Sequence, residues 1–140
     1  MRFILIEPRR PVSGQRGVNH RYQNALRQAI EGRLKTRFAS NVPVYCRILW
    51  FHRRPTSQDV DNIVKPILDS LSGSVFTDDN QVSQCLVMRI NLKESYTVDG
   101  DEEAVGELQD VIISGHSDIL YIEVDGMEGQ RAVVGPIDGG

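Results

Sequence analysis

Cysteine is scarce in this chain: of its 140 residues only Cys46 and Cys85 carry thiols, both sit in apolar runs, and no CxxC spacing occurs. That disfavours both a disulfide framework and a Cys-ligated zinc, so two buried free thiols in a reducing compartment are expected. No apolar run approaches the roughly 18 to 20 residues that span a bilayer, and Met1–Glu7 is too short for a signal peptide, so the expectation is a cytoplasmic protein with no membrane partner. Aromatic residues make up only 6% of the chain. They are not interleaved with basic residues in the way that stacks single-stranded bases. Of the three histidines, His20 and His52 are too far apart for a helical metal pair and read as loop or strand-end residues.

What remains is ordinary globular material, 40% hydrophobic and 25% charged, which fits one domain over residues 1–140. A domain of this size buries roughly 68% of the surface its unfolded chain exposes, enough for a core without staples. The net charge of −3 conceals an asymmetry: residues 1–65 hold 13 basic and four acidic side chains, residues 66–140 three and 15. Either a basic face meets a polyanion, or the halves neutralise each other across the fold.

Arg2–Glu7 reads as a strand, and the Pro/Gly/Arg stretch over 8–17 as an irregular loop. Tyr22, Leu26, Ala29, Ile30, Leu34 and Phe38 recur at spacings of three and four, which predicts an amphipathic helix over 19–38 with a cationic outer face. Val42–His52 is nearly all apolar and predicts a central strand buried on both sides. Ile63, Ile67, Leu68 and Leu71 predict a second helix stopped by Gly73. Because Pro66 lacks an N–H, that helix is expected to start near Asn62, with Asp59 and Asp61 in an extended run-in. VFTDDNQ (75–81) reads as a turn, Val82–Leu92 and Ser117–Val124 as strands, and the glycine-rich tail from Gly126 as frayed. The acidic segment 94–115 is an insertion of uncertain order, in which 101–110 reads as a short helix or as a mobile loop. The expected fold is α+β: one compact domain with a mixed sheet and two helices, in the order β-α-β-α-β-β.

Four carboxylates stand at element boundaries, Asp59 and Asp61 before the second helix and Asp78 and Asp79 before the next strand. Carboxylates brought together from separate segments hold hard cations such as Mg2+ beside phosphates, and the short helix between the pairs allows them to converge. Caps and turns are the competing reading. Lys65, four residues after Asp61, either neutralises charge on a phosphoryl group or pairs with Asp61 or Asp69 at the surface. Asp99, Asp101, Glu103, Glu107 and Asp110 have a superficial likeness to a calcium loop, but Ala104 stands where such a loop needs glycine.

The run DVDNIVKPILDSLSGSVFTDDNQV resembles the signature of the RusA-like Holliday junction resolvases, D-x-D-N-x-x-K-x-x-x-D-x-L followed by D-D-x-Q-V. Asp59, Asp61, Asn62, Lys65, Asp69, Leu71, Asp78, Asp79, Gln81 and Val82 occupy the matching positions. PVSGQR at 11–16 is similar to the polar, basic loop that many members carry after the first strand. The resemblance covers about residues 1–92 and resumes weakly at the last strand; the segment 94–115 is longer than the family pattern.

The resemblance implies a RusA-like fold and a homodimeric, Mg2+-dependent endonuclease that cuts branched DNA, with Mn2+ as a substitute metal. It makes Asp59, Asp61 and Asp79 the metal-binding catalytic carboxylates, Asp78 a supporting metal ligand and Lys65 the active-site lysine. Independently, Arg53 and Arg54 lie on the approach to Asp59, and Arg9, Arg10, Arg16 and Arg21 occupy the first loop and helix. All six are candidate contacts to DNA phosphates. Two other functions fit the same residues: a branched-DNA-binding protein without turnover, and a nuclease acting on flaps or other branched DNA.

Overall fold

The computed structural model describes residues 2–15 and 17–129. Four strands form one mixed sheet: β1 (Arg2–Glu7), β2 (Val44–His52), β3 (Val82–Asn91) and β4 (Asp118–Gly126), in the spatial order β1-β4-β2-β3. β4 runs antiparallel to both β1 and β2, while β3 runs parallel to β2. Three helices complete the α+β domain: α1 (His20–Arg33), α2 (Val60–Leu71) and α3 (Glu102–Ile113).

The alternation of side chains along β2 divides the core in two. Val44, Cys46, Ile48 and Trp50 face α1 and α2, meeting Leu26, Ile30, Ile63 and Ile67. Leu49 and Phe51 face the other way and meet Ala104 and Leu108 of α3. α3 is the element whose order the sequence leaves open. Asp101 caps it by accepting from the Ala104 N–H at 3.1 Å, and the apolar pair Ala104 and Leu108 then covers a sheet face that would otherwise be wet. Glu107, on the same helix, takes two hydrogen bonds from Arg33 at 2.7 and 2.9 Å.

Three expectations are corrected. α1 stops at Arg33 rather than near residue 38; Leu34 is already extended, and Phe38 reaches the core from an extended segment pinned by its N–H to the Val75 carbonyl at 2.9 Å. α2 starts at Val60, not near Asn62, with Pro66 in its interior. The proline leaves the Asn62 carbonyl without its usual helical donor, and the Gly14 N–H takes that place at 2.8 Å. A side chain at Gly14 would begin 3.3 Å from the Pro66 ring, so glycine is what lets the β1–α1 loop lie on the helix. Finally, Cys46 is buried but Cys85 is exposed, because β3 is an outer strand of the sheet. Gly126 completes β4, and Met127–Gly129 form a short turn. The rest of the expected tail lies outside the described residues.

Candidate active site

At the end of the sheet where β2 finishes, the β1–α1 loop and the segment leading into α2 enclose an open cleft of about 1020 Å³. Arg10, Ser13, Gln15, Asn19 and His20 line one side; Thr56, Gln58, Asp59 and Asn62 line the other. The second wall is tied down at each step. The Gln58 side chain donates to the Pro11 carbonyl at 3.0 Å, and its own carbonyl accepts from Arg89 of β3. Asp59 therefore follows a residue held from two directions.

Asp59 is the N-cap of α2 in extended conformation, yet its side chain makes no cap hydrogen bond. Its carboxylate is left to the cleft. Asp61 lies in the first helical turn and is exposed, where the positive end of the helix dipole favours a negative charge. Lys65, one turn on, is well exposed and reaches Asp69 at 3.3 Å. Asp61, Lys65 and Asp69 thus share one face of α2.

The second acidic pair sits elsewhere. α2 is about 18 Å long, and Asp78 and Asp79 lie beyond its far end, where a short 3-10 turn (Asp79–Gln81) leads into β3. Asp78 caps that turn through the Asn80 N–H at 3.2 Å, and Asp79 is exposed. Within one chain the two pairs do not converge, and no group of three or more metal-ligating side chains forms among the described residues.

Gln81 explains why the turn is rigid. Its Oε1 accepts from the Thr77 and Asp78 N–H groups at 2.7 and 3.1 Å, and its Nε2 donates to the Ala39 and Val42 carbonyls at 2.7 and 3.0 Å. In Gln81→Leu the Thr77 and Asp78 N–H groups and the Val42 carbonyl lose this partner, while the Ala39 carbonyl keeps the Val42 N–H at 3.0 Å; urea unfolding is expected to show a loss of about 3 kcal/mol or more, given roughly 1 to 3 kcal/mol for each buried group left unpaired. A variant as stable as the wild type would show that the turn is held by other contacts.

The arginines separate into two kinds. Arg53 is spent on structure: its guanidinium donates to the carbonyls of His116 at 2.9 Å and Ile112 at 2.6 Å, closing the C-terminal end of α3. Arg9 is paired with Glu7 at 3.0 Å. Arg10 and Arg54 keep exposed guanidinium groups near the cleft, and Arg21 is exposed on α1. Arg16 lies outside the described residues. Several pairs link the basic half of the chain to the acidic half, including Arg2–Asp125, Arg10–Asp118 and Arg33–Glu107, so mutual neutralisation accounts for part of the charge asymmetry.

The sequence pattern of the endodeoxyribonuclease RusA family matches residues 15–98, from the first wall of the cleft through both acidic pairs and β3. The chain belongs to the RusA endodeoxyribonuclease family. Membership makes it an endodeoxyribonuclease of the Holliday junction class. No curated protein matches the chain. α3 follows the matched span. No helix among the described residues is long and apolar enough to cross a membrane.

Two residues near the cleft escaped sequence reasoning, Arg89 and Asp118. Arg89 gave no local signal, since its partner Gln58 is 31 residues away. Asp118 had an indirect one. A buried tryptophan on β2 needs an acceptor for its indole N–H, and Trp50 finds it in Asp118 at 3.0 Å.

Proposed function

We propose that this chain is an Mg2+-dependent, structure-selective endonuclease that resolves four-way DNA junctions as a homodimer, by paired phosphodiester cleavage in recombination and repair. The observation that carries the reading is the Asp59–Asp61 pair, which enters none of the ion pairs among the described residues and stands beside an arginine-flanked cleft in a chain of the RusA family. Two carboxylates with uncommitted oxygens suit a hard divalent cation in donor type. A bound Mg2+ supplies acidified water and charge neutralisation at phosphorus. Asp59 and Asp61 would hold it, Lys65 would face the phosphate, and Arg10 and Arg54 would fix the strand on either side.

The third carboxylate, Asp79, is out of reach within one protomer, and a dimer resolves this. β3 is an outer strand with ten residues, exposed Leu86 and Met88, and Arg89 as its one charged side chain. Antiparallel pairing of two β3 strands about a two-fold axis near Leu86 juxtaposes no like charges. It carries the start of one β3, with its Asp79, to the end of the other, where Arg89 holds the lead-in to Asp59. Each composite site then takes Asp59, Asp61 and Lys65 from one protomer and Asp79 from its partner. Asp78 stays with the cap of its turn and supports Asp79 from behind.

The test is cleavage of a synthetic four-way junction beside linear duplex and flap substrates, with Mg2+, Mn2+ or EDTA. Symmetric nicks at the junction, dependent on metal and absent from the duplex, are expected. Preferential cutting of the flap would assign a different branched substrate, and tight junction binding without cutting in any metal would leave only a binding protein.

A further inference from the structure

We propose that Asp118 is a positioning residue that holds Arg10 and Arg54 together as a phosphate grip at the mouth of the cleft. The inference rests on the DNA reading above. Asp118 opens β4 directly opposite His52, the last residue of β2. It therefore stands where the chain turns out to Arg54 and where the β1–α1 loop passes with Arg10. Its carboxylate is buried, with the residue 8% exposed. Oδ1 accepts from the Trp50 indole at 3.0 Å and from Arg10 Nη1 at 3.5 Å, and Oδ2 lies 3.9 Å from Arg54 Nη2. The Arg10 guanidinium also lies over the Trp50 ring, 5.4 Å from its centroid.

Charge arithmetic separates a grip from a simple ion pair. One buried carboxylate faces two guanidinium groups, so the cluster keeps a surplus positive charge, and it keeps it outward: the Arg10 and Arg54 side chains are 40% and 70% exposed. Each guanidinium has five N–H donors in a planar fork, and the carboxylate occupies few of them. The backbone is fixed as well, because the Arg54 carbonyl lies 2.9 Å from His52 Nδ1. Two long side chains from segments far apart in sequence are thereby ordered before any DNA arrives, Arg10 in the wall of the cleft opposite Asp59 and Arg54 next to Pro55, which lines it. Arg53, next to Arg54 in sequence, has no such surplus, since the carbonyls of Ile112 in α3 and of His116 just after it use its guanidinium.

Asp118→Asn removes the charge and keeps an oxygen for the Trp50 indole. Four-way junction affinity, measured over a series of salt concentrations in EDTA, is expected to fall about ten-fold, and the slope of log affinity against log salt to become shallower by about one to two. In turnover the loss should fall on KM more than on kcat. Adding Asp118→Asn to Arg10→Gln/Arg54→Gln should weaken binding no further, because the aspartate acts through those arginines. A purely structural role would lower the melting temperature and leave the salt slope unchanged, which overturns the proposal; so does a penalty that persists without the arginines. If Asp118→Asn fails to fold, Arg10→Gln and Arg54→Gln decide the matter, since a shared grip predicts that either single variant loses nearly as much as the double, and additive losses refute it. A wild type that does not bind junctions defeats the DNA reading itself, whereas normal wild-type binding with an unaffected Asp118→Asn defeats the grip alone.

Discussion

Mixing Asp61→Asn protomers with Asp79→Asn protomers is expected to restore nicking to two proteins that are each inactive alone. The reason is geometric. Asp61 lies in the first turn of α2 and Asp79 beyond the other end of this helix, which is about 18 Å long, so one chain does not bring both against one phosphate. Each homodimeric variant should lose about a thousand-fold in cleavage, the scale of several kcal/mol of lost charge stabilisation. In a mixed dimer with composite sites, one site carries both substitutions and the other carries neither. Equal mixing with free exchange then leaves about a quarter of the sites intact, all in dimers that nick one strand instead of two. A gel that separates single nicks from paired cleavage reads this directly. If each site were built within one chain, both sites of the mixed dimer would be damaged and co-refolded mixtures would stay inactive.

The same distance shows where sequence reading stops. Within 24 residues the motif places five aspartates, a lysine and a glutamine, and the eye joins what is close in sequence. Yet the stretch between the acidic pairs is a rigid helix, and a helix acts as a spacer. The strands were legible because β-branched runs and turn residues announce them locally, and α1 and α2 because Leu26, Ile30, Ile63 and Ile67 keep helical period. α3 was half-legible: its Asp101 cap is a local signal, but the decision between helix and loop depends on the sheet face formed by Leu49, Phe51 and Tyr121, which comes from distant segments. Strand order is non-local too. Cys85 looked like a core residue because its neighbours are apolar, and only its place on an outer strand exposes it. Arg53 reads from sequence, with Arg54, as a phosphate contact on the approach to Asp59, while the carbonyls that claim it, of Ile112 and His116, lie at and just after the end of α3.

Leu86→Glu/Met88→Glu should convert the protein to a monomer and abolish cleavage while leaving the fold intact. Leu86 and Met88 are 47% and 44% exposed, and a spacing of two puts them on one face of β3. Substitution there costs the isolated chain little, because both side chains already stand nearly half exposed and neither belongs to the core. Outer strands of soluble proteins commonly carry charge that stops them from pairing with another chain; β3 carries Arg89, and that side chain is turned to the Gln58 carbonyl. Two glutamates per strand restore the missing guard. Across a two-fold axis every substitution counts twice, so four carboxylates crowd one seam and the apolar contact of four side chains is lost. At roughly 25 cal/mol per Å² of apolar surface, with like-charge repulsion added, dimer affinity should fall by about a thousand-fold or more. Sedimentation velocity should then show a monomer that keeps the wild-type circular dichroism and unfolds cooperatively, at a melting temperature lowered by the lost association. With composite sites of the kind proposed, the same monomer should not cut junctions, because Asp59 and Asp61 would lack a partner's Asp79. A double variant that remains dimeric places the interface elsewhere than β3, and a monomer that cuts normally removes the need for a composite site.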